Sequence, residues 1–86
     1  MITFLKSVMI SRLDNEMVLM DTESGHYYSL NESATEMVEL LINNKSIEKS
    51  AKLIADKYLV SFDQVVKDLN KLIKELKVKG LLTVTS

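Results

Sequence analysis

The sequence predicts an α+β domain in which a small antiparallel sheet of about three strands precedes three helices. Three observations carry that reading. Residues 8–30 hold short apolar runs broken by polar turn residues, the pattern of strands in hairpins. Residues 31–78 switch to apolar side chains recurring every three or four positions, the period of helices. The 86 residues contain no proline and two glycines, so nothing marks a linker, and residues 1–86 are read as one domain.

Val8-Met9-Ile10-Ser11-Arg12-Leu13 is apolar and partly β-branched, and Asp14-Asn15 supplies a turn. Met17-Val18-Leu19-Met20 is too short for a helix and suits a second strand. Asp21-Thr22-Glu23-Ser24-Gly25 is a polar loop, and His26-Tyr27-Tyr28-Ser29-Leu30 reads as the return strand of a hairpin. A hairpin alone is marginal in water, so this one must pack on something. Asn31 or Ser33 caps the first helix, with Ser33 and Glu36 at capping-box spacing and Met37, Leu40 and Leu41 as its apolar face. Asn43-Asn44 ends it. Ser46 caps the second helix, whose stripe is Ile47, Ala51, Ile54, Ala55 and Tyr58. Ser61 caps the third and longest, with Asp63 in the first turn, where the helix dipole favours an anion. Phe62, Val65, Val66, Leu69, Leu72, Ile73 and Leu76 form its apolar face, and Lys77, Lys79 and Gly80 close it. Leu81-Leu82-Thr83-Val84 either returns as a short strand or lies across the core. Strands first, then three helices with the last one longest, is a winged helix-turn-helix-like arrangement.

Composition excludes several function classes. With 47% hydrophobic and 27% charged residues the chain is an ordinary globular domain, not a disordered tail. A chain of this size buries only roughly 60–65% of its unfolded surface, so its stability is expected on the order of 5 kcal/mol. No cysteine and a single histidine exclude a disulfide framework, a thiolate zinc site and a multi-histidine metal centre, and no cofactor is expected. No apolar run approaches ~18 residues, and Met1-Ile2-Thr3-Phe4-Leu5-Lys6 lacks the layout of a signal peptide, so a cytoplasmic protein without membrane attachment is expected.

Charge is asymmetric although the net value is −1. Residues 1–44 carry Lys6 and Arg12 against seven acids, whereas residues 45–86 carry nine lysines against five. Lys67, Lys71 and Lys74 line one side of the third helix, continued by Lys77, and could meet phosphates, which makes a small winged-helix DNA-binding regulator the alternative function. Against it, that helix has no arginine, the usual reader of guanine, and Asp68 and Glu75 sit among the lysines at salt-bridge spacing. Catalysis is not expected. His26 has no serine or carboxylate at a diagnostic spacing, and no glycine-rich phosphate loop is present.

Tyr27 and Tyr28 are adjacent on a strand and so point to opposite faces, one to the core and one to solvent or a ligand. If this strand is a sheet edge, its unpaired N–H and C=O groups offer a template for an added peptide strand.

The stretch Val18-Leu19-Met20-Asp21, followed by Gly25-His26-Tyr27-Tyr28-Ser29-Leu30-Asn31-Glu32-Ser33-Ala34, resembles the PqqD family, named for the pyrroloquinoline quinone synthesis protein D. Its members are also called peptide-modification chaperones or RiPP recognition elements. Ser46-Ile47-Glu48-Lys49-Ser50-Ala51 and Tyr58-Leu59-Val60 resemble the family's second helix, and Val65-Val66-Lys67-Asp68-Leu69 its third. Leu76 through Gly80-Leu81-Leu82 resembles its close. The likeness covers roughly residues 8–82. Asn43-Asn44-Lys45-Ser46 departs from the Asp-Gly-like turn usual before the second helix, but asparagine tolerates the left-handed conformation.

The resemblance implies that the chain binds the leader segment of a ribosomally made precursor peptide by strand addition and presents it to a separate modifying enzyme or leader-cleaving protease. It implies a receiving edge at His26, Tyr27, Tyr28, Ser29 and Leu30, and a helical wall of Val65, Asp68, Leu69 and Leu72. Tyr28→Asp is then expected to abolish peptide binding while the fold survives. No enzyme domain is fused within these residues, which resembles the free-standing members of lasso-peptide pathways; the quinone and thioether pathways stay open. Family members also dimerise, so a homodimer is a further expected partner.

Overall fold

Period-two and period-3.6 segments meet in a computed structural model that describes residues 2–44 and 46–84. In chain order the elements are β1 (Ile2–Phe4), β2 (Val8–Leu13), β3 (Glu16–Asp21), β4 (Tyr27–Leu30), α1 (Glu32–Asn44), α2 (Ile47–Tyr58), α3 (Phe62–Val78) and β5 (Leu82–Val84). The predicted α+β, winged-helix-like order stands. β2, β3 and β4 form an antiparallel sheet in that order, and β1 pairs antiparallel with β5 in a second, two-stranded sheet. Leu81–Val84, for which the sequence allows a strand or a segment crossing the core, is a strand from Leu82 onward. Its partner β1 was not read from the sequence, because three residues carry too short a pattern to announce a strand.

The register Ile10↔Leu19↔Tyr28 and Arg12↔Met17↔Leu30 puts these side chains on the face of the sheet turned to the helices. Leu19, Leu30, Val38, Leu41, Leu69, Leu76, Leu81 and Leu82 make the centre of one core. Met9, Met20 and Tyr27 form the matching row on the outer face and are exposed.

Asn31, not Ser33, caps α1: its Oδ1 accepts the Ala34 N–H at 2.9 Å. The face that α1 buries is Thr35, Val38 and Leu41, with Met37 and Leu40 packed at its margin. Ser46 and Ser61 cap α2 and α3 as predicted, accepting from Lys49 and Gln64 N–H. The Asn43–Ser46 turn includes Lys45, which lies outside the described residues. Two aromatic residues leave the stripes assigned to them: Tyr58 and Phe62 are both exposed. Each stands at the end of its helix beside the α2–α3 turn, where the apolar stripe runs past the core.

The two helix ends before Val60 and Leu81 are built alike. At the close of α3, Gly80 N–H donates to Lys77 O and Leu81 N–H to Leu76 O, with Gly80 at φ 75°. At the close of α2, Val60 N–H donates to Ala55 O, and Leu59 takes the left-handed position at φ 54°. No described helix is long and apolar enough to cross a membrane.

Candidate functional site

A short loop aims β4. The Asp21 carboxylate accepts the Glu23 N–H at 3.1 Å and the Ser24 hydroxyl at 2.9 Å, while Gly25 N–H donates to Asp21 O at 2.8 Å. The Glu23 N–H foremost, then the Ser24 hydroxyl, hold the Asp21 carboxyl below its ordinary value. Gly25 completes the turn at φ 77°, a conformation that disfavours any side chain. Asp21 N–H then donates to His26 O at 2.8 Å. That bond sets the alternation of the antiparallel ladder, so the Tyr28 and Leu30 main chain turns toward β3 and that of Tyr27 and Ser29 turns away. β4 has no strand on that outer side among the described residues. Its free N–H and C=O groups thus belong to Tyr27 and Ser29.

β2 is the other edge of the same sheet. Along β4 run two adjoining depressions. One, of about 420 Å³, is lined by Gly25, His26, Tyr27, Lys79 and Leu81. The other, of about 560 Å³, is lined by Tyr28, Lys71, Lys74, Glu75, Val78 and Lys79. Lys79 is common to both, and its ammonium lies 5.1 Å over the Tyr28 ring, a cation–π contact. Tyr28 Oη donates to Glu75 Oε2 at 2.8 Å. This hydrogen bond, with lesser contributions from desolvation and the Glu75 charge, pushes the Tyr28 hydroxyl pKa up. The result is a groove with a main-chain edge on one side and the C-terminal half of α3 on the other. Such a groove can hold an extended chain by backbone pairing and sort its side chains by size and charge.

The predicted edge residues are brought together: His26 and Tyr27 line the first cavity, Tyr28 the second, and Ser29 stands exposed beside them. Leu30 is different, being 2% exposed in the core. The helical wall expected at Val65, Asp68, Leu69 and Leu72 is not what faces the groove. Val65, Leu69 and Leu72 are buried core residues, and Asp68 sits on the N-terminal half of α3, accepting from Gln64 Nε2 at 3.0 Å. The facing residues are Lys71, Lys74, Glu75 and Val78. An apolar residue of α3 that is spaced to reach the groove is equally spaced to reach the core, and only the packing of β4 against α3 separates the two. Lys71 and Lys74 were visible as part of a lysine row; Glu75 and Asp68, spaced to pair with those lysines, instead accept from Tyr28, 47 residues away, and from Gln64, and neither is in the salt bridges of the described residues. Tyr28 itself is half-buried, so an aspartate there would set a second carboxylate beside Glu75 and strain the fold as well as the edge.

A third, polar depression lies elsewhere, between α1 and the α2 end. It contains Glu36, which accepts from both Lys57 Nζ at 2.8 Å and the Tyr58 hydroxyl, and the Arg12–Glu39 ion pair. Arg12, Glu36, Glu39 and Lys57 are thus paired with one another. Among the described residues no group of three or more His, Asp or Glu side chains could hold a metal ion.

Residues 16–82 match the family model described as Coenzyme PQQ synthesis protein D (PqqD). No curated protein matches the chain. Two solved structures superpose on it closely. TbiB1 in complex with the TbiA(beta) leader peptide gives a TM-score of 0.88 at 26% identity, covering 96% of each chain. Lasso peptide synthetase B1 complexed with the leader peptide gives a TM-score of 0.89 at 26% identity, covering 96% of this chain and 98% of that one.

Proposed function

The chain belongs to the coenzyme PQQ synthesis protein D (PqqD) family, and on that premise we propose that residues 1–86 form one leader-peptide-binding module. It takes the leader segment of a ribosomally synthesised precursor as an added strand on β4 and presents the precursor to a separate enzyme. The observation that carries this reading is the open β4 edge facing the C-terminal half of α3, in a fold whose two solved neighbours are complexes with leader peptides. Main-chain pairing at Tyr27 and Ser29 supplies affinity that tolerates sequence variation, and the two cavities supply selectivity. Ordering a disordered leader costs free energy, so affinity in the micromolar range or somewhat tighter is expected.

Likeness to lasso peptide synthetase B1 over nearly the whole of both chains favours a lasso-type pathway with a leader-cleaving protease as partner. The module acts as an adaptor, and the chemistry lies in the partner. The DNA-binding alternative has no comparable support: the family match and both solved neighbours point to leader peptides, and Lys71 and Lys74 line the groove beside β4 together with Glu75.

Backbone NMR of the labelled chain, titrated with leader segments of candidate precursors, tests the proposal. Saturable shifts at residues 26–29 and along residues 71–79 are expected. Shifts confined to Lys67–Lys77 with duplex DNA, falling with salt, and none with any leader, would overturn it.

A further inference from the structure

Resting on the strand-addition reading, we infer that the accepted segment carries an aspartate or glutamate directed at Lys71 and Lys74, two residues from an apolar side chain. The geometry of an added strand leads there. A residue placed opposite Tyr28 shares the inner face with it, because cross-strand neighbours point the same way. It therefore enters the depression of Lys71, Lys74 and Val78. The residue two positions along, about 6.6–6.8 Å away, lies opposite His26 and enters the cavity of Tyr27, Lys79 and Leu81.

Charge decides what the first position takes. Three ammonium groups face one carboxylate in that depression, and Glu75 is already engaged by the Tyr28 hydroxyl. The salt bridges among the described residues are Arg12–Glu39 and Lys57–Glu36, so Lys71, Lys74 and Lys79 take part in none. Lys79 is drawn over the Tyr28 ring, which leaves Lys71 and Lys74 as the uncompensated pair. An acidic side chain satisfies both, and its methylene stem packs on Val78. The second position has no such charge pair: its cavity is lined by Gly25, His26, Tyr27, Lys79 and Leu81, and with Lys79 drawn over the Tyr28 ring, Leu81 at its base suits an apolar residue.

A library of displayed random decapeptides, selected in parallel on the immobilised full chain and on its Lys71→Glu/Lys74→Glu variant, tests this. The wild-type chain is expected to enrich Asp or Glu at one position with an apolar residue two away, and the variant to enrich Lys or Arg there instead. In a wild-type-selected peptide, Glu→Gln at that position is expected to weaken binding about three- to tenfold at low salt, and less at high salt. That comparison uses the unaltered chain and stands even if the variant folds poorly. Selected peptides that shift the Tyr27 and Ser29 amide signals yet show no acidic preference would overturn the inference and leave strand addition intact. No enriched peptide, or enriched peptides that leave those amides unmoved, would overturn strand addition and the inference with it.

Discussion

The Tyr28 hydroxyl donates to Glu75 Oε2 at 2.8 Å across 47 residues of sequence, and this bond joins the open edge strand β4 to the helix that forms the opposite wall. Tyr28→Phe keeps the ring under Lys79 and removes only the donor. It is expected to cost about 1 kcal/mol in urea unfolding at neutral pH. The folded-state pKa of the hydroxyl is raised above the unfolded value, so its contribution is complete below about pH 10 and is lost as pH climbs through the raised value. The gap between wild type and Tyr28→Phe should therefore close in strongly alkaline solution.

Ser29→Pro separates edge from fold. The Ser29 N–H faces the open side of β4, so proline there removes no bond of the β3–β4 ladder. The circular dichroism spectrum is expected to persist while affinity for a leader segment drops at least about tenfold, as for the loss of more than one main-chain bond. Unchanged affinity in a titration would place the peptide elsewhere.

Leu69→Ala makes the opposite separation. Leu69 is fully buried, so truncation is expected to cost about 2–5 kcal/mol. That is comparable to the whole stability of a domain this small, on the order of 5 kcal/mol. Peptide binding should disappear together with helical circular dichroism, not before it.

Glu36 links α1 to the end of α2 through Lys57 and Tyr58, and the Lys57 hydrogen bond, then that of Tyr58, holds its carboxyl below the ordinary value. A depressed folded-state pKa stabilises above the unfolded value of about 4.3 and is lost as pH falls through the depressed one. Glu36→Gln is expected to be less stable than wild type at pH 7 and equal to it in strong acid, read as thermal midpoints across pH 3–7. A constant gap across that range would place the role of Glu36 outside its charge.

Leu59 does at the end of α2 what Gly80 does at the end of α3, but with a side chain that is 90% exposed. A non-glycine residue in the left-handed region costs roughly 1–2 kcal/mol, partly offset by the greater unfolded-state freedom of glycine. Leu59→Gly should therefore be more stable by about 0.5–1 kcal/mol in urea unfolding. A loss of stability instead would show that the Leu59 side chain packs on something in solution.

The order of elements, the Ser46 and Ser61 caps and the β4 strand were legible in the amino acids, because each depends on neighbours within a few residues: a cap on the N–H three positions on, a strand on alternation, a helix on its period. That Tyr27 and Tyr28 split between two faces was also readable, whereas the openness of the β4 edge came from the sheet order. What only the tertiary structure decided was everything joining residues far apart in the chain. β1 exists because β5 pairs with it, 82 residues away at Ile2 and Val84. The wall of the groove is Lys71, Lys74, Glu75 and Val78, not Val65, Leu69 and Leu72, because Tyr28 meets Glu75 about one to three turns beyond the residues first expected to face it. The period of a helix tells which residues share a face; the angle at which a strand crosses it decides which part of that face stays open.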